Sequence, residues 1–283
     1  MTVKTIPLYQ IDAFTRDPFK GNPAAVCLLP HVLDDVLMQA VAAEMNLSET
    51  AFVMRLEEQP WADCATFSLR WFTPTTEVKL CGHATLATSV VLFDVIGVSA
   101  PGVIFKTLSG DLIANHTQHG IELDFPIDPP VACDPPADVV EAIGVQTVQA
   151  AVYGARSTML LLHLADAAQV RTLRPDFSAL LAAKSMEQHH GLIVTADGDA
   201  AGIAGYDFVS RFFAPWLGIN EDPVTGSAHT LLTPYWAERL GKREMSAYQA
   251  SARGGELGVR LAGNDRVKLV GKAAVVFKGE LYI

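Results

Sequence analysis

LRWFTPTTEVKLCGHATLA (residues 69–87) and SRFFAPWLGINEDPVTGSAHTLL (residues 210–232) are two versions of one segment. Arg70 falls on Arg211, Phe72 on Phe213 and Pro74 on Pro215, and Gly82 falls on Gly226 once a three-residue insertion is allowed. A duplicated block dictates architecture, because each copy must build the same supersecondary unit. The likeness continues outward. GNPAAVCLLPHVLDDVLMQAVAAEM and GARSTMLLLHLADAAQVRTLRPDFSALLAA each read as an apolar strand, a polar turn and an amphipathic helix. FKTLSGDLIANHTQHGIELDF and YQASARGGELGVRLAGNDRVKLV each read as strand, turn, strand.

The chain therefore divides into two similar halves. In the first, strands are expected at 26–29, 51–56 and 66–72 and helices at 34–45 and 83–96. In the second, strands are expected near 158–164, 191–195 and 206–213 and helices near 176–186 and 227–240. DFPIDPPVACDPPADVV (124–140) has the composition of a linker, proline being poor in helix and central strand. That reading gives domains over 1–127 and 128–271. KAAVVFKGELYI (272–283) has no counterpart in the first repeat and is expected to cross back and complete the N-terminal domain.

Bulk properties narrow the function. With 21 basic and 31 acidic residues the net charge is −10, which disfavours a polyanion partner, because nucleic-acid binding is driven by basic side chains on phosphate. The longest apolar run, 84–98, is interrupted by Thr85, Thr88, Ser89 and Asp94 and falls short of a membrane span. MTVKTIPLYQIDAF has no secretory pattern, so a soluble, cytoplasmic protein is expected. Cys27, Cys64, Cys81 and Cys133 are widely spaced, as reduced thiols are.

Both copies of the repeat run from a glycine into a helix, as CGHA and TGSA. A helix start has backbone N–H groups without internal partners and the positive end of the dipole, and glycine lets a ligand oxygen approach closely. Gly82 and Gly226, with Cys81 and Thr225 before them, are thus expected to form two anion cups that hold one small carboxylate-bearing substrate across a cleft. The proton carriers differ between the halves. MNLSETAF places Ser48 and Glu49 at a strand start, whereas the second half, HHGLIVTA, has no carboxylate there. Asp222, in NEDPVTGS, stands five residues before Ser227 with Pro223 fixing the backbone between. Glu49 and Asp222 make a candidate acid/base pair, since burial in an apolar cleft brings a carboxyl group toward neutral-pH proton exchange. His83 is placed to relay a proton, and Ser227, its partner in the repeat, to bind a substrate oxygen. His229 is read as capping or packing, and His189 and His190 as exposed. Cys81 and His83 supply two metal ligands where three or four are needed, so no metal is expected. The chain has no Walker A motif and no strand-linked GxGxxG, so no nucleotide cofactor is expected either.

IDAFTRDPFKGNPAAV, MNLSETAF, LRWFTPTTEVKLCGHATLA and FAPWLGINEDPVTGSAH, in this order and spacing, resemble the PhzF family of phenazine-biosynthesis-like isomerases. The resemblance implies an α+β chain of two pseudo-symmetric domains with the diaminopimelate epimerase fold. By the same resemblance a mostly antiparallel sheet is expected to wrap a central helix in each, with the active site in the interdomain cleft, and a homodimer without cofactor is expected. In the phenazine enzyme the glutamate of the NLSE motif moves a proton between ring positions of trans-2,3-dihydro-3-hydroxyanthranilate; here that residue is Glu49. The family histidine, aspartate and serine correspond to His83, Asp222 and Ser227. Amino-acid epimerases of the same fold use two opposed cysteines; here Cys81 fills the first place and Thr225 the second, which disfavours two-thiol chemistry. Cys81 also replaces an apolar residue of the phenazine enzyme, which points to a different substrate. The leading reading is a cofactor-independent isomerase working through Glu49. Racemisation through Cys81 and another base, and a non-catalytic small-acid binding protein, are the alternatives.

Overall fold

In the computed structural model of the chain, residues 5–186, 189–198 and 205–283 are described. The chain forms two units, residues 1–124 with 270–283 and residues 125–269. The expected boundary after residue 127 therefore falls at Asp124/Phe125.

The first unit contains β1 (Thr5–Ala13), β2 (Asn22–Leu29), β3 (Glu49–Arg55), β4 (Thr66–Phe72), β5 (Glu77–Val78), β6 (Gly102–Thr107), β7 (Gly110–Thr117) and β8 (Gly120–Pro126), with helices α1 (Asp35–Met45) and α2 (Gly82–Val90). β1 and β2 are antiparallel, β2 and β3 parallel, β3 and β4 antiparallel. β4 then carries the short β5 antiparallel and β6 parallel, and β6, β7 and β8 form an antiparallel meander. The strand Ala273–Tyr282 closes the outer edge, antiparallel to β1.

The second unit contains β9 (Pro130–Cys133), β10 (Ala150–Gly154), β11 (Met159–His163), β12 (Gly191–Asp197), β13 (Phe208–Ala214), β14 (Ile219–Asp222), β15 (Glu244–Gln249), β16 (Gly255–Ala262) and β17 (Arg266–Gly271); α3 (Ala137–Ile143), α4 (Ala167–Thr172), α5 (Phe177–Ala182) and α6 (His229–Leu240) complete it. Its pairing repeats the first unit strand for strand. β10 and β11 are antiparallel, β11 and β12 parallel, and β12 and β13 antiparallel. β13 carries β14 antiparallel and β15 parallel, and β15 pairs antiparallel with β16. The C-terminal strand, β18 (Ala273–Tyr282), does have a counterpart: β9 lies antiparallel to β10 as β18 lies antiparallel to β1. The proline-rich segment is thus folded structure, not a bare linker. Asp128, buried within it, accepts from Arg156 N (3.1 Å), Ser157 N (2.8 Å) and Ser157 Oγ (2.6 Å).

Each sheet curls around one helix. α2 touches β1, β2, β3 and β18 toward one end of its sheet and β7 toward the other, and α6 touches β9 at one end and β15 and β16 at the other. Both helices are accordingly buried on nearly all sides. Their polar residues fit by turning hydroxyls onto their own backbone: Thr85 onto Cys81 O, Thr88 onto Ala84 O (2.7 Å), Ser89 onto Thr85 O (2.8 Å), and Thr233 onto His229 O (2.5 Å). Past Val90 the first helix loosens into one π turn, Val91–Ile96, which Gly97 ends in the left-handed region (φ 80°). The expected helix over 176–186 is shorter, ending at Ala182 before a 3₁₀ turn over Lys184–Met186; Asp176 caps it by accepting from Ser178 N and Ala179 N. Among the described residues no helix is long and apolar enough to cross a membrane. All four cysteines are thiols, and only Cys133 is exposed.

Candidate functional site

In both units the duplicated block is held by an arginine that the repeat singles out and a carboxylate that it conceals. Arg70 on β4 binds Glu77 on β5 through Nε (2.7 Å) and a terminal nitrogen (2.8 Å), and Arg211 on β13 binds Glu221 on β14 the same way (2.7 and 2.9 Å). Once the three-residue insertion is placed between Pro215 and Glu221, Glu77 aligns with Glu221 and Val78 with Asp222. The ladders agree, since Trp71 faces Val78 and Phe212 faces Asp222. The bidentate pair fixes the short strand that leads into each helix start.

In the first unit three candidates meet. Glu49 opens β3, and Cys81 and His83 stand at the start of α2, where no side chain caps the helix. His83 Nδ1 is 3.4 Å from Cys81 Sγ, and His83 Nε2 is 3.2 Å from Glu49 Oε2 without hydrogen-bond alignment. Burial pushes the His83 pKa down to about 3, so the ring is neutral at physiological pH and its contact with Glu49 is not an ion pair. A neutral imidazole donates at one nitrogen and accepts at the other. The tautomer with hydrogen on Nε2 suits both neighbours, facing the carboxylate with a donor and the thiol with an acceptor. One ligand atom from each of Glu49, Cys81 and His83 lies within 4.8 Å of the other two. The expectation of only two metal-ligating groups is therefore corrected: Glu49, distant in sequence, is the third. Ser48, which precedes Glu49 in the chain, donates instead to Asn22 Oδ1 (3.4 Å).

The lack of a second-half carboxylate opposite Glu49 has a steric cause. Glu49 faces Ala24 across the parallel β2–β3 ladder, and the matching position, facing Met159 across β11–β12, is Gly191. A Cβ there would lie 2.3 Å from Phe212 Cζ, so an aromatic ring occupies the space that a side chain needs.

In the second unit Asp222, Thr225, Gly226 and Ser227 form the other cluster. Thr225 Oγ1 donates to Asp222 Oδ2. Gln249, fully buried at the end of β15, accepts from Thr225 N (2.9 Å) and donates to Asp222 O (2.9 Å) and Thr225 Oγ1 (3.2 Å). Sequence reasoning missed Gln249; its only signal was a polar residue ending the half-buried strand EMSAYQ. The two helix starts are not identical. α2 begins at Gly82, whereas α6 begins at His229, behind a 3₁₀-like turn in which His229 N reaches Gly226 O (3.0 Å) and Thr230 N reaches Ser227 O (3.1 Å). Neither Gly82 nor Gly226 adopts a positive φ, so the backbone twist does not demand glycine at either place.

His229 packs in the core, with Nδ1 2.8 Å from Thr225 O and its ring 6.0 Å from that of Phe208. Of the histidines expected to be exposed, His190 is, with Nδ1 2.7 Å from Thr158 Oγ1, while His189 is half-buried edge-on against Tyr153 at 4.9 Å.

Residues 11–279 match the family model described as phenazine biosynthesis-like protein, PhzC-PhzF. The human phenazine biosynthesis-like domain-containing protein is 46% identical over 98% of this chain and 99% of its own length. An uncharacterized isomerase of Halalkalibacterium halodurans is 46% identical over 99% of each. The crystal structure of a PhzF family protein from Enterococcus faecalis superposes with a TM-score of 0.89 at 42% identity, covering 99% of this chain and all of that one. Motif, sequence and fold agree along the whole chain, which belongs to the PhzC-PhzF family of phenazine biosynthesis-like proteins.

Proposed function

We propose that this chain, an isomerase by family, moves a proton within a small carboxylate-bearing substrate, with Glu49 as the base that takes the proton from one carbon and returns it to another. The observation that carries the reading is the asymmetry of the two units. One frame, built twice, holds a carboxylate against an imidazole in the first unit and a glycine under an aromatic ring in the second. A single shuttle suits a shift from atom to atom on one molecule; inversion at a carbon asks for opposed bases. His83 lies with its Nε2 edge against the Glu49 carboxylate and with Nδ1 against Cys81. Asp222 and Ser227 assist as a second polar group, with Asp222 oriented by Thr225 and Gln249. The start of α2 at Gly82, which no side chain caps, offers its N–H groups to the substrate carboxylate. No cofactor is required for this step: one proton leaves and one returns, with exchange against solvent on Glu49 in between, and no electrons are transferred.

The test is isotopic. Small cyclic and acyclic acids with an activated C–H, dihydro-hydroxyanthranilate among them, are incubated with the protein in heavy water and followed by NMR and mass spectrometry. Glu49→Gln should lower turnover and deuterium incorporation by about 10²–10⁴-fold, the usual contribution of a general base. Unchanged exchange in that variant would remove Glu49 from the chemistry.

A second reading, racemisation through Cys81, draws on the closeness of its sulfur to His83 Nδ1. Thr225 in the matching place is hydrogen-bonded to Asp222 and cannot serve as the opposing thiol. Loss of activity in Cys81→Ala together with full activity in Glu49→Gln would select this reading.

A further inference from the structure

We infer that Glu49, Cys81 and His83 form a binding site for one thiophilic divalent cation of the zinc class. The three side chains bring a thiol, an imidazole and a carboxylate, the donor types that zinc accepts. They converge from two distant parts of the chain, and one donor atom from each already lies within 4.8 Å of the others.

Geometry favours the assignment. Zinc–sulfur and zinc–nitrogen bonds of about 2.3 and 2.0 Å at a tetrahedral angle put the two donor atoms roughly 3.5 Å apart. Cys81 Sγ and His83 Nδ1 are 3.4 Å apart, the separation that chelation requires. Glu49, with a carboxylate oxygen within 4.8 Å of the other two donors, supplies the third ligand. If it stays at Nε2 instead, it orients the ring as carboxylates do behind zinc-bound histidines.

Charge favours it as well. A thiolate and a carboxylate around a dication sum to zero, the state that a largely buried cluster tolerates best. On binding, the thiol proton leaves to solvent and the metal–sulfur bond replaces it. Three protein ligands leave a fourth position for water. The bound cation would occupy the lone pairs of Glu49 and arrest any proton transfer there, making the site inhibitory.

The experiment uses the full chain and Cd²⁺ as the probe, followed by the near-ultraviolet thiolate-to-cadmium charge-transfer band, with Zn²⁺ as competitor. One Cd²⁺ per chain is expected, displaced by Zn²⁺, with the band abolished in Cys81→Ser and retained in Cys133→Ser, which removes the one exposed thiol. His83→Gln and Glu49→Gln should each weaken binding at least tenfold, with unchanged circular dichroism as the check that they fold. A band that survives Cys81→Ser, or an affinity that neither His83→Gln nor Glu49→Gln alters, would overturn the assignment. The outcome is independent of the proposed reaction: the cation site can fail while isotope exchange depends on Glu49, and the exchange can fail while cadmium binds.

Discussion

Acidification from pH 7 to pH 4 should destabilise the folded chain by about 3 kcal/mol through His229 alone. The ring is fully buried, Nδ1 is hydrogen-bonded to Thr225 O at 2.8 Å, and Nε2 has no hydrogen-bond partner among the described residues. Desolvation holds its pKa down to about 4, against the ordinary 6.5. An unfolded chain takes up a proton at this side chain near pH 6.5, whereas the folded chain resists until about pH 4. Between those values the unfolded state binds more protons, so stability falls as pH falls. The loss is ~2 kcal/mol at pH 5 and ~3 kcal/mol at pH 4, levelling off below. Urea unfolding at a series of pH values measures it. Tryptophan fluorescence is a suitable signal, because Trp236 stacks on Phe208 (5.7 Å between centroids), itself beside His229. The reference is His229→Asn, whose side-chain amide can replace the Nδ1 donor toward Thr225 O but does not titrate. Carboxylates common to both proteins cancel in the comparison. The wild type should lose 2–3 kcal/mol more than the variant from pH 7 to 4, an order-of-magnitude figure; parallel losses would refute a buried, neutral His229.

Gly191→Ala should lower stability by about 1–3 kcal/mol from overpacking against Phe212, and Phe212→Leu should relieve part of that cost in the double variant, as read by thermal denaturation. Glu221→Gln should destabilise by about 3 kcal/mol, because it leaves Arg211, whose side chain is 8% exposed, with a buried uncompensated charge. Glu77→Gln should cost nearer ~1 kcal/mol, since Arg70 is more exposed and keeps Asp35 at 2.7 Å; chemical denaturation of the two variants ranks them. Asp222→Asn tests the assisting role: isotope exchange should slow while Glu49→Gln in the same background adds less than its full effect, the mark of two residues serving one reaction.

The fold was legible because duplication magnifies weak signals. A single apolar stretch such as LLLHL could be strand or buried helix, but matching it to the stretch after Gly21 settles it as a strand in both copies. What stayed hidden were pieces whose identity depends on tertiary partners. β9 is four residues, PVAC, in a proline-rich stretch that local propensity assigns to a linker; it is a strand because β10 offers it a free edge. Proline is tolerated there because it begins an edge strand. β10 and the short helices α3 and α4 were missed for the same reason, since none of the three has the length or periodicity to stand out alone.

The first-unit cluster shows where sequence reasoning about a site reaches its limit. Residue types at a helix start identify Cys81 and His83, and a carboxylate at a strand start identifies Glu49, yet neither signal says that β3 and α2 are neighbours. Only the parallel β2–β3 pairing, with α2 laid across both strands, brings position 49 to the imidazole. The same neighbourhood exists in the second unit, and there the chemistry is absent because Phe212 fills the space above Gly191. A carboxylate at position 191 would need that ring removed, and the ring belongs to the strand that pairs with Asp222. A carboxylate in the second unit at the place of Glu49 thus takes at least two substitutions, one at Gly191 and one at Phe212, so the asymmetry of proton carriers is built into the packing of the duplicated frame.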